Sequence, residues 1–228
     1  MPHTLLITAT VLAIVFSFGL GVFSLWRNPK ATVVRLWFLM SMAITVWGIG
    51  YLLTLFTSDA AIALLSLRIV YFGAILVPMF FFHFVAHFTF RYPKVVVLTV
   101  AGYLLAGTFI VLAVGTSLII KGVRYLETFG YYEDIATPGF YFLMAYFWFY
   151  VVYALAMLIA SYRRSDGIRR RQMLWLLFAS TIAFVGAGTN FLMDLTGGYP
   201  YGQLIVWLYP IFVTYGIFVQ EVKIKIRF

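Results

Sequence analysis

The sequence predicts an all-α, polytopic membrane protein: one domain spanning residues 1–228, built as a seven-transmembrane helix bundle with its N-terminus outside and its C-terminus in the cytoplasm. Three observations carry this. Hydrophobic residues make up 64% of the 228 and charged residues 10%, against about 45–50% and about 25% in soluble domains. A water-soluble chain needs a polar shell that this composition cannot supply. The apolar residues form long runs, and the basic residues fall between alternate runs.

A span needs roughly 20 mostly apolar residues. Seven runs qualify, at residues 4–26, 36–56, 62–88, 95–120, 139–162, 173–195 and 203–219. The first follows Met1-Pro2-His3, which lacks the positive segment of a cleaved signal peptide, so it reads as a span. Pro78 and Pro210 are expected to kink the third and seventh spans. Gly186-Ala187-Gly188 in the sixth lets a neighbouring helix come close. The connections are short except for 121–138, which holds Glu127, Glu133, Asp134 and the cluster Phe129-Gly130-Tyr131-Tyr132, and has room for a small hairpin or an interfacial segment.

Orientation follows from Lys and Arg. Arg27, Lys30 and Arg35 follow the first run, Arg91 and Lys94 the third, Arg163, Arg164, Arg169, Arg170 and Arg171 the fifth, and Lys223, Lys225 and Arg227 the last. These are 13 of the 16 basic residues, and the side that holds them is the cytoplasmic one. Only Lys121 and Arg124 lie in loops on the other side, and Arg68 lies within a span. The net charge of +9 is read as topology plus contact with anionic lipid headgroups on the cytoplasmic side, and not as a nucleic-acid surface.

An ionisable group inside a span is costly and defaults to function. Arg68 lies roughly 9 Å from the outer end of its run at 1.5 Å per residue. Asp194, and Asn190 four residues before it on the same helical face, come from the outer end of the sixth run. An Arg68–Asp194 pair would lower the desolvation cost of both charges, as a structural ion pair or as part of an outward-open polar pocket. Trp47, Tyr51, Tyr71, Tyr146, Gln203 and Trp207 project into the same layer. Aromatic walls with a few polar groups suit a small-molecule ligand, although an aromatic belt explains part of the set. His83 and His87, at i and i+4, have metal-chelating spacing. They lack an acidic partner and read first as interhelical hydrogen-bonding residues.

Enzyme signatures are missing: no glycine-rich phosphate loop, no GxSxG, no cysteine and no carboxylate pair within a span. The seventh run has no central lysine for a retinal Schiff base, so no cofactor is expected and none of the residues is read as catalytic.

Trp47-Gly48, Pro78 followed by His83-Phe84, the basic stretch Gly167–Arg171 with Gln172, Asn190, and the exit Tyr215-Gly216-Ile217-Phe218-Val219 into a basic tail together resemble the N-terminal seven-transmembrane sensory region of prokaryotic histidine kinases and related signalling proteins. The resemblance implies a non-catalytic receptor module that binds an extracellular or membrane-borne ligand and signals to a cytoplasmic effector. Such modules normally continue into a kinase or cyclase. This chain ends nine residues after the last run with no ATP-binding region, which makes it a truncated sensor or a stand-alone homologue acting through a protein partner. A homo-oligomer is left open. The competing readings are a non-catalytic subunit of a larger membrane complex and a small transporter, the latter requiring a continuous polar path.

Overall fold

Lipid offers backbone polar groups no hydrogen-bond partner, so each apolar run satisfies its own N–H and C=O groups by closing into a helix. In the computed structural model the chain does this from α1 (Pro2–Arg27) through α2 (Thr32–Phe56), α3 (Ala60–Phe88) and α4 (Tyr92–Gly115). A two-stranded antiparallel hairpin follows, β1 (Ile120–Leu126) and β2 (Tyr131–Ala136), and then α5 (Pro138–Arg163) and α6 (Gly167–Thr196). The structure describes the backbone of residues 2–196 and 199–219, and the side chains of all of these except residues 2, 187, 189–196 and 219.

Six helical segments among the described residues are long and apolar enough to cross a membrane: the five from α1 to α5, and Tyr201–Phe218. The chain is therefore a multi-pass membrane protein in contact with the bilayer. The remaining helix, α6, is 30 residues long and carries the Arg169-Arg170-Arg171 run near its start.

Several helices start a few residues before the expected runs, α2 at Thr32 and α6 at Gly167 among them, and two elements differ in kind. The fourth run was expected to stay helical to residue 120, but α4 ends at Gly115 and Ile120 opens β1. Gly115 is a poor helix former, Thr116 turns extended (φ −136°, ψ 176°), and its hydroxyl donates back to the Leu112 carbonyl at 2.5 Å. The last span is not one helix with a proline kink. It consists of 3₁₀ turns at Tyr201–Leu204 and Val206–Leu208, a short α7 (Tyr209–Thr214) and a π-helical turn at Tyr215–Val219. Pro210, in the first turn of α7, cannot donate to the preceding segment, so the helix starts there instead of running through. Pro78, by contrast, is accommodated inside a continuous α3. The Tyr146 hydroxyl donates to the Ile75 carbonyl at 3.1 Å, in the turn before that proline.

The most extensive helix pair is α2 with α3. Two glycines allow it. A Cβ on Gly73 would lie 2.5 Å from the Ala43 carbonyl oxygen and the Trp47 nitrogen, and one on Gly50 would lie 2.6 Å from the Val70 nitrogen. The backbones therefore touch directly, and this pair forms a stiff wall. Gly186 of α6 packs in the same manner on the last span, where a Cβ would meet the Gly202 carbonyl oxygen at 3.0 Å.

Candidate functional site

The hairpin lies across one end of the bundle. Its loop is closed by Phe129 and Gly130 N–H groups donating to the Leu126 carbonyl at 3.0 and 2.8 Å. Gly130 has φ +74°, a left-handed conformation that glycine takes at little cost. Contacts such as the following tie the hairpin down. The Tyr71 hydroxyl of α3 donates to Asp134 Oδ2 at 2.8 Å. The Tyr132 hydroxyl donates to the Ser58 carbonyl in the α2–α3 loop at 3.1 Å. The Phe129 ring meets the Tyr199 ring, ahead of the last span, at 5.5 Å.

Beneath it is a cavity of about 130 Å³. The stiff α2–α3 pair forms one side, with Trp47 and Tyr51 from α2 and Val70, Tyr71 and Ala74 from α3. Phe147 of α5 and Phe184 of α6 stand opposite. Tyr209 of α7 forms part of the floor, held by its hydroxyl against Met40 Sδ at 3.4 Å and by its ring edge-on to Trp37 at 5.7 Å. The roof is the strand Tyr131-Tyr132-Glu133-Asp134.

The roof carries the charge. Glu133 and Asp134 are 2% and 4% exposed. Glu133 Oε2 accepts from the guanidinium of Arg124, its cross-strand partner, at 2.8 Å (Nε) and 2.5 Å (Nη2). Glu133 Oε1 is buried with no hydrogen-bond partner among the described residues. Burial pushes the Glu133 carboxyl above its usual range, and Arg124 pulls it part of the way back. These two acids were read from the sequence only as outer-face loop residues. Their one sequence signal is that they sit beside an aromatic cluster too apolar for a solvated loop.

The sequence-derived residues divide. Trp47, Tyr51 and Tyr71 line the cavity, with the Trp47 and Tyr51 rings stacked at 6.0 Å and 9° and Tyr131 edge-on to Tyr51 at 6.4 Å. Arg68 is half-buried on α3, away from the lining. It forms no ion pair among the described residues, and the side chains of its expected partners Asn190 and Asp194 lie outside them. Tyr146 is turned toward α3 and α4, its ring 5.3 Å from Phe109. Gln203 is fully buried away from the cavity and donates from Nε2 to the Thr10 hydroxyl at 3.3 Å. Trp207 stacks on Phe16 at 5.8 Å and donates its indole N–H to the Leu204 carbonyl at 2.9 Å.

His83 and His87 lie near the opposite, basic end. His83 Nδ1 is 2.8 Å from the Tyr103 hydroxyl, and both rings stack on Tyr92. No third metal-ligating side chain joins them among the described residues.

Residues 9–222 match the family model described as the N-terminal 7TM region of histidine kinase. No curated protein matches the sequence. The match runs through every helix, the hairpin and the cavity walls, so the chain belongs to the family of N-terminal seven-transmembrane regions of histidine kinases, a membrane sensory module distinct from the kinase's catalytic part.

Proposed function

We propose that the chain is an outward-facing receptor that crosses the membrane seven times, binds a small ligand in the cavity under the hairpin, and passes the occupancy signal to a cytoplasmic effector on a separate chain or further along its own. The carrying observation is the cavity itself, walled by four membrane-spanning segments and α6 and roofed by a tethered hairpin. In the sequence, the alternation of the runs assigns 13 of the 16 basic residues to the side opposite the hairpin connection, which supports an N-terminus outside and a C-terminus in the cytoplasm. It also puts anionic lipid headgroups on that side. The apolar 173–195 stretch of α6 supplies the remaining crossing.

Signal transfer needs a ligand that binds one helix packing better than another. The cavity walls continue into the basic end, where they are coupled. The Arg169 guanidinium of α6 donates to the Phe88 carbonyl of α3 and lies 4.1 Å from the centre of the Phe88 ring. Trp175 of α6 packs edge-on against Tyr215, where the last span leaves α7, at 5.1 Å. A change in spacing between α3 and α6 around a ligand therefore reaches both the Arg163–Arg171 loop and the exit of the last span.

The test is ligand-dependent thermal unfolding of the purified chain in nanodiscs, screened against a small-molecule panel, with Ala74→Phe as the variant that fills the cavity. A ligand at 100 times its Kd stabilises by about 2.7 kcal/mol. At least one compound is expected to stabilise the wild type and not Ala74→Phe. Equal stabilisation of both proteins, or of neither by any compound, contradicts the reading.

A further inference from the structure

The lining of the cavity carries a charge sign. Its only carboxylates are Glu133 and Asp134, and no Lys, Arg or His lines it among the described residues. Arg124 reaches Glu133 from the solvent side: its side chain is 44% exposed while that of Glu133 is 1% exposed. It satisfies Oε2 and leaves Oε1 buried with no partner among the described residues, on a residue that lines the cavity. A buried carboxylate oxygen without a donor costs free energy, and a bound group that carries a donor or a positive charge recovers it.

The rest of the lining favours the same sign. Trp47, Tyr51 and Tyr131 line the cavity, the Trp47 and Tyr51 rings stacked on each other and Tyr131 edge-on to Tyr51. The faces of Trp and Tyr attract cations within about 6 Å of the ring centre, the arrangement that recognises alkylated ammonium groups. An anion would meet two carboxylates and no basic side chain among the described residues. A neutral apolar molecule would fill the space and leave Glu133 Oε1 unsatisfied. Size sets the other limit. The cavity measures about 130 Å³, close to the roughly 150 Å³ that admits a benzene-sized guest.

Building on the reading of this cavity as the ligand site, we infer that it takes a small organic cation, an alkylated ammonium of about five to eight non-hydrogen atoms. The charge sits against Glu133 and Asp134 and the carbons against Trp47, Tyr51 and Tyr131.

The probes are choline and its neutral isostere 3,3-dimethylbutan-1-ol, which match in shape and differ in charge. Binding to the full chain in nanodiscs is read by the shift in unfolding temperature with probe concentration. Choline is expected to bind at least 10-fold more tightly than the isostere. Asp134→Asn retains an acceptor for Tyr71 and removes the charge; it is expected to weaken choline at least 10-fold and leave the isostere unchanged. Trp47→Leu, on a different element, is expected to weaken choline by a similar factor and serves if Asp134→Asn does not fold. Equal binding of the two probes overturns the cation assignment and leaves the cavity standing as a ligand site. Choline binding that survives both substitutions overturns it too, because the cation is then held elsewhere. Binding of neither probe also overturns it, and the panel screen with Ala74→Phe then decides separately whether the cavity receives any ligand.

Discussion

Removing Arg124 should open the hairpin, and the size of the effect follows from the asymmetry of its ion pair. Arg124→Met keeps much of the aliphatic bulk and deletes the guanidinium that reaches Glu133 Oε2 at 2.5 Å. Glu133, 2% exposed, is then a buried carboxylate without its counter-charge. Breaking a fully buried pair costs about 3–5 kcal/mol. Here the Arg124 side chain is 44% exposed, so water and salt already weaken the pair and the expected cost is about 2 kcal/mol. The hairpin is one local unit, so the loss should appear in its amide hydrogen exchange as roughly 30-fold faster exchange across residues 120–136. Helices α2 and α3 should stay protected. The pH dependence has a definite sign. Burial raises the Glu133 carboxyl above 4.5 and Arg124 opposes that rise, so the variant's carboxyl moves further up. A carboxyl raised by folding binds its proton more tightly in the folded state. Its contribution is full below about 4.5 and is lost as the pH rises through the folded value. The Arg124→Met hairpin should therefore show lower protection, relative to the intrinsic exchange rate at each pH, at pH 7.5 than at pH 5. Arg124→Met with Glu133→Gln should recover most of the loss, since the buried charge is gone. Wild-type exchange in Arg124→Met, or a double variant as open as the single one, would refute the reasoning.

Gly73→Ala places a methyl group 2.5 Å from backbone atoms of α2 that cannot rotate away; it should cost about 1–3 kcal/mol, read as a lower unfolding midpoint, and should weaken any ligand held against Trp47. Arg169→Ala removes the hydrogen bond to the Phe88 carbonyl and the contact with the Phe88 ring. It should cost about 1–2 kcal/mol, seen as faster amide exchange in the last turn of α3 with the hairpin unaffected.

The helices α1 to α5 were legible because lipid forces apolar residues into contiguous runs, and a run of the right length has one solution. The break in the last span was less legible. Pro210 marks where α7 begins, but nothing local announces the 3₁₀ turns at Tyr201–Leu208, which owe their shape to packing on Gly186 and α1. At the site, counting residues from a span's end places a side chain at the right depth without giving its direction around the helix. Trp47, Tyr51 and Tyr71 share both depth and direction with the cavity. Tyr146, Gln203 and Trp207 share the depth and turn to other neighbours. Glu133 and Asp134 were illegible for another reason: two acids in a loop read as solvated, and only the hairpin folding back onto Tyr71 buries them. The family resemblance was carried by short motifs spread along the chain, and the match over residues 9–222 bears it out.

The most direct test of an outward-facing receptor is the side on which the hairpin lies. The chain has no cysteine, so single substitutions at the exposed Glu127 in the hairpin loop and at the exposed Arg164 between α5 and α6 give unambiguous reporters. With a membrane-impermeant maleimide, Glu127→Cys is expected to label in intact cells and Arg164→Cys only after lysis. Labelling of Arg164→Cys in intact cells, with Glu127→Cys protected, would place the cavity on the cytoplasmic side and contradict the account.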